Sequence, residues 1–146
     1  MIEYGGGYAY ISNQGYILEI SDIKLEVPIL QGAETLTEDF VAGNRLCKED
    51  LSKMSAVIKI MQEAKSNSEE ELDASSLITR IDIENKLNYK IVFESEEKVA
   101  YLGDETNLDY KMTWVKKILK EESQTPGEIL VNMDLKNNNP TFRKSV

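Results

Sequence analysis

Tyr89-Lys90-Ile91-Val92-Phe93, then Glu94-Ser95-Glu96-Glu97-Lys98, then Val99-Ala100-Tyr101-Leu102 form two apolar runs joined by a short polar link. Tyr89, Ile91 and Phe93 alternate with Lys90 and Val92, the period of a strand with one buried face, and aromatic and β-branched side chains suit a pleated surface. The polar link to Val99–Leu102 is far too short for a parallel crossover, which needs a dozen residues or more, so the two runs pair antiparallel. Upstream, Leu77 to Glu84 puts Leu77, Ile81 and Ile83 on one face and reads as a third strand of the same meander.

Both flanks of this unit turn helical. Between Lys48 and Ser66, Leu51, Met54, Ile58 and Met61 recur at three and four, widened by Val57, Ile60 and Ala64. That helix gives way to the polar, acidic Ser66-Asn67-Ser68-Glu69-Glu70-Glu71, a solvated loop. On the other side Thr106-Asn107-Leu108-Asp109 matches a capping box, and Leu108, Met112, Val115 and Leu119 form the buried stripe of a second helix. It should fail near Ser123, before Thr125-Pro126-Gly127. A strand with Ile129, Val131, Met133 and Leu135 on one face follows, then an Asn-rich turn and a short last strand, Thr141-Phe142-Arg143-Lys144. At the start, Tyr8–Ile11 and Tyr16–Ile20 flank Ser12-Asn13-Gln14-Gly15 and read as a β-hairpin. Pro28 makes Val27–Gly32 an extended segment at or beyond a sheet edge. The pattern from 31 to 45 is irregular. The expected class is α+β: a mostly antiparallel, twisted sheet with two amphipathic helices packed on it. Gly5-Gly6-Gly7 makes residues 1–7 a flexible entry from an upstream domain, with the domain itself spanning 8–146.

Composition narrows the function. The 146 residues suffice for one domain with a real core. Seventeen basic against 26 acidic side chains give a net charge of −9, which repels nucleic acid and anionic membrane surfaces. The absence of histidine excludes histidine-based triads and histidine zinc sites. The one cysteine, Cys47, has no histidine to take its proton and reads as an inert thiol. The glycine run lacks the lysine and helix start of a phosphate loop. The acids Glu69, Glu70, Glu71 and Asp73, and the group Asp104, Glu105 and Asp109, lack the spacing of a calcium loop; they read as a solvated run and a helix start. Trp114 reads as packing at the rim of the second helix. No metal site, cofactor or catalytic set is expected. The longest apolar run, Val99–Leu102, is far below the roughly 20 residues that span a bilayer.

The tail departs from the chain's character. Residues 136–146 carry Lys136, Arg143 and Lys144 with no acid, a local charge of +3. A short basic terminal strand after a proline describes an exposed sheet edge, where lysine either blocks unwanted pairing or borders a site for strand addition.

Several segments together resemble the extracytoplasmic β domain of the bacterial cell-division proteins FtsQ/DivIB. Tyr10-Ile11-Ser12-Asn13-Gln14-Gly15-Tyr16-Ile17-Leu18 and Val27-Pro28-Ile29-Leu30-Gln31-Gly32 are similar to its opening hairpin and "P-x-L-x-G" segment. Ile81-Asp82-Ile83, Tyr89–Phe93, Val99–Asp104, Val131-Asn132-Met133-Asp134-Leu135 and Pro140-Thr141-Phe142-Arg143 follow in the family's order, from Tyr8 to nearly the end. The resemblance implies a single-pass membrane protein whose soluble outer part is this domain, preceded by a polypeptide-transport-associated domain. It implies a non-enzymatic scaffold of the septum-assembly complex, monomeric alone, whose partners are FtsL-like and FtsB/DivIC-like proteins. Those partners would add to the last strands, at Leu135, Asn137, Thr141, Phe142, Arg143 and Lys144. The insert at 66–76 and the Asn-rich turn depart from the family pattern. Two other classes stay open: a small hydrolase using the acids of 69–73 and 104–109, and a domain that only packs on a neighbour, through its hairpin.

Overall fold

The chain opens in a strand where the glycine run suggests a flexible joint. In the computed structural model, which describes residues 1–65, 72–132 and 140–145, Ile2–Tyr4 (β1) pairs antiparallel with Gly7–Ile11 (β2), and β2 with Ile17–Ser21 (β3). Gly5 and Gly6, at φ of +43° and +86°, are the reversal between β1 and β2; side-chain-free residues are what such a turn needs. The expected hairpin, β2–β3, is present, and β3 carries one extra residue at Leu18, because Tyr10 faces Glu19 while Ile11 faces Ile17.

A six-stranded sheet follows, in the order Ile29–Gln31 (β4), Arg80–Asp82 (β5), Tyr89–Phe93 (β6), Lys98–Gly103 (β7), Gly127–Leu130 (β8) and Thr141–Lys144 (β9). Its register lines up Leu30, Ile81, Ile91, Ala100, Ile129 and Phe142, one from each strand. From Leu30 to Ile129 this row is buried, and only Phe142, at the last strand, reaches solvent. The β5–β6–β7 meander is antiparallel as its links require. The pairs β4–β5 and β7–β8 are parallel, each joined through a helical crossover. The molecule is α+β with mostly antiparallel strands.

The first helical stretch is two pieces, Lys48–Leu51 (α1) and Met54–Ala64 (α2). The break sits where the ladder tightens, Lys53 N–H donating three residues back to the Asp50 carbonyl at 3.0 Å. Helix α2 buries Met54, Ala56, Val57, Ile60 and Ala64; Leu108–Glu121 (α3) buries Leu108, Met112, Val115, Ile118 and Leu119, and both join the core of the sheet. The capping box at α3 is not made. Asn107 is the cap residue, in left-handed backbone with no side-chain cap bond, because the Thr106 amide and hydroxyl donate to Asp104 instead.

The irregular segment 31–45 is held by Asp50, a fully buried carboxylate. It accepts the Glu34 amide at 2.9 and 3.1 Å, the Thr35 amide at 2.9 Å and the Thr35 hydroxyl at 2.5 Å. The two sheets meet at the first residue. Met1 N donates to Pro28 O at 3.0 Å and Leu30 N to Met1 O at 2.7 Å, so β1 lies beside β4. The strands then run β3-β2-β1-β4-β5-β6-β7-β8-β9, leaving β3 and β9 as the two ends.

Candidate functional site: the β9 edge

β9 pairs on one side only. Leu130 faces Thr141, Ile129 faces Phe142, Glu128 faces Arg143 and Gly127 faces Lys144, while the other side borders no strand among the described residues. Thr141, Arg143 and Lys144 are exposed and Phe142 is half-buried against the core. Four of the six residues expected at a partner site, Thr141, Phe142, Arg143 and Lys144, therefore share one strand. The other two, Leu135 and Asn137, lie outside the described residues.

Alternation divides the labour along β9. Phe142 points into the fold, with the buried ammonium of Lys98 5.9 Å above its ring. Lys98 Nζ also donates to the Glu96 carbonyl at 3.3 Å and faces the Glu96 carboxylate at 3.8 Å, so its charge is compensated where it is buried. Arg143 lies on the other face, its Nη2 3.0 Å from Glu128 Oε1 on β8. Glu128 also takes the Tyr101 hydroxyl of β7, and Lys90 of β6 stands 5.6 Å over the Tyr101 ring. The Tyr101 and Arg143 bonds hold the Glu128 carboxyl below the usual carboxylate range, and the same bond to Glu128 raises the Tyr101 phenol. A polar row of ammonium, phenol, carboxylate and guanidinium thus crosses four strands and ends at Arg143 on the rim. The arrangement is a strand that, among the described residues, pairs with β8 alone, bordered by cations and with an aromatic anchor beneath.

Sequence reasoning reached the basic strand but not Lys90, Tyr101 and Glu128. Their grouping depends on β7 lying parallel to β8, a pairing that no local pattern announces.

The other candidates are dispersed. Asp104 accepts from Thr106 and neighbours Lys111 Nζ at 3.5 Å; the Thr106 bonds hold its carboxyl low. Asp73 accepts from Ser75 in an exposed turn. Glu69, Glu70 and Glu71 lie outside the described residues. Among the described residues no three histidine, cysteine or acidic side chains cluster as a metal site would require. Cys47 is half-buried, and its thiol joins the bonds around Asp50. Trp114 lies at the rim of α3, edge-on to Tyr110 at 6.5 Å with Lys117 4.8 Å over its ring. An open groove of about 490 Å³ between β2 and α2 is lined by residues such as Tyr10, Ile11, Met54 and Met61, and among the described residues by no acid. No helix among the described residues is long and apolar enough to cross a membrane. Comparison with family models, with curated proteins and with solved structures returned no match to this chain.

Proposed function

We propose that this chain is a non-catalytic interaction domain of the FtsQ/DivIB kind, a scaffold of the bacterial septum-assembly complex that receives an extended segment of a small bitopic partner on β9. In that setting the domain stands on the extracytoplasmic side of a single-pass membrane protein, its two amphipathic helices on a twisted sheet, and FtsL-like and FtsB/DivIC-like proteins are the partners. The observation that carries the reading is β9 itself: the last described strand, basic, exposed at Thr141, Arg143 and Lys144, and paired on one side only among the described residues. A strand added there gains main-chain hydrogen bonds along its length, and an acidic partner is favoured by the local charge of the strand. The order of the resembling segments supports it as well, since Ile29–Gln31, Arg80–Asp82, Tyr89–Phe93 and Lys98–Gly103 are neighbouring strands.

The test is binding of purified FtsB/DivIC-type partner to the domain. Arg143→Glu with Phe142→Pro should abolish it, because proline removes a ladder donor and the reversed charge repels an acidic segment. Phe142 also packs on the core, so Arg143→Glu with Lys144→Glu, both at exposed positions, is the companion variant. It should weaken binding about tenfold or more while the circular dichroism stays that of the wild type. Wild-type affinity in both variants would overturn the assignment of the site.

A further inference from the structure

The opposite end of the strand order carries a second edge of different character. Among the described residues β3 pairs with β2 alone. At its start Ile17 is capped, its amide donating to the Asn44 carbonyl at 2.7 Å and its carbonyl accepting the Gly43 amide at 2.8 Å. From Leu18 to Ser21 no backbone bond is made on the outer side among the described residues. Two of the four side chains there are apolar and in water: Leu18 is 63% exposed and Ile20 37%. The strip continues past the strand through Ile23 at 65%, Leu25 at 53% and Val27 at 42%.

That continuation is fixed by Tyr10, whose hydroxyl donates to the Ile23 carbonyl and accepts the Leu25 amide at 3.0 Å. An apolar ledge is thereby held beside an apolar open strand. Exposed rows of this kind are a pairing hazard that folds ordinarily blunt with lysine or proline along the edge. Here the charges run the other way: Glu19, Asp22 and Glu26 outnumber Lys24 between Tyr16 and Val27, all four exposed, on a chain of net charge −9.

We propose that the β3 edge is a second docking edge, taking by strand addition an extended segment of another protein in which basic and aliphatic residues alternate. Aliphatic side chains of the segment lie on Leu18 and Ile20, its basic side chains face Glu19, and its continuation rests on the ledge of Ile23 and Leu25. Charge selects against a second copy of this chain as the occupant. An antiparallel β3–β3 pairing brings Glu19 and Asp22 of both copies together, and two bodies of charge −9 repel. The two edges then differ in sign, β9 basic and β3 acidic, so that one domain holds two different extended partners without exchange between them.

The probe is a capped peptide of alternating lysine and valine, with three controls: the same peptide N-methylated at every second amide, its glutamate–valine counterpart, and sedimentation of the domain alone. The lysine–valine peptide should bind, with affinity that falls as salt rises, and should protect the amides of 18–21 from hydrogen exchange. Leu18→Lys with Ile20→Lys, both at exposed positions, should lower that affinity about tenfold or more, since two cations replace the apolar contact and repel the peptide. Arg143→Glu with Lys144→Glu should leave binding at the wild-type level or raise it. The proposal is overturned if the N-methylated or glutamate peptide binds equally, if the β3 variant binds as well as wild type, or if protection falls on 141–144. It is also overturned if the domain alone dimerises and the β3 variant makes it monomeric, because the occupant is then a second copy.

Discussion

Asp50 shows how one side chain can hold a segment whose regular structure, past the end of β4, is a single 3₁₀ turn at Thr37–Asp39. Removing its carboxylate strands the Thr35 amide and hydroxyl inside the fold and leaves the amide of the exposed Glu34 without its partner, and each unsatisfied buried donor costs about 1–3 kcal/mol. Asp50→Ala should therefore destabilise the protein by roughly 3 kcal/mol or more, read as a lower urea midpoint at unchanged slope. Burial alone raises this carboxyl's pKa, but the bonds from Glu34, Thr35 and Cys47 outweigh it and the net shift is below 3.8. A depressed acid contributes stability in full above its unfolded pKa and loses it as pH falls through the folded value. Stability should accordingly decline on acidification below about pH 4, and Asp50→Asn should lose part of that decline. An acid limb of the same steepness in the Asn variant would assign the decline to other carboxylates.

The strand pair β8–β9 depends on one absent side chain. A Cβ on Gly127 would lie 2.5 Å from the Arg143 carbonyl oxygen and 2.6 Å from Phe142 Cζ, and the first of these is backbone that cannot rotate away. Gly127→Ala should push β9 off its register at a cost of about 1–3 kcal/mol, the range for overpacking. Amides of 141–144 should then exchange faster while those of β6 keep their protection; equal exchange in both strands would show that the sheet absorbs the methyl. The same elements show what a sequence discloses. β6 was legible because its five residues have one face fully buried, which imprints the alternation of Tyr89, Ile91 and Phe93. β1, β4 and β5 are three residues each, too short to show a period, and β1 was masked by the glycines that form its turn. Leu77 and Ile83, expected in β5, lie outside it. The site was half legible for a related reason: charge marks Arg143 and Lys144 locally, whereas their neighbours Glu128 and Tyr101 arrive through the crossover of α3.

At the scale of the whole molecule, the two sheets are joined where Met1 sits beside Pro28 and Leu30, and in a chain that begins at Met1 this places a charged group at a seam. The α-amine of Met1 is largely removed from water, and that burial lowers its pKa from 8.0 to about 6; the Pro28 carbonyl at 3.0 Å is its hydrogen-bond acceptor. Between those two values the unfolded chain holds a proton that the folded chain has released, so stability rises with pH across the window. Below about pH 6 both states are protonated and the penalty for burying the cation is constant; above about pH 8 both are neutral and the penalty is gone. Two pKa units correspond to on the order of 2–3 kcal/mol, so a chain beginning at Met1 should gain about that much between pH 5.5 and pH 8.5. The gain is separated from the Asp50 limb by more than a pH unit. Placing one residue before Met1 replaces the amine with an amide that still donates to Pro28 and does not titrate, and the slope should vanish while the seam stays closed. A slope that survives the extension would mean that the pH dependence arises elsewhere. A slope that vanishes along with the protection of the Leu30 amide would mean that the extra residue opens the seam between β1 and β4, and that the continuous order from β3 to β9 depends on the first residue fitting where it does.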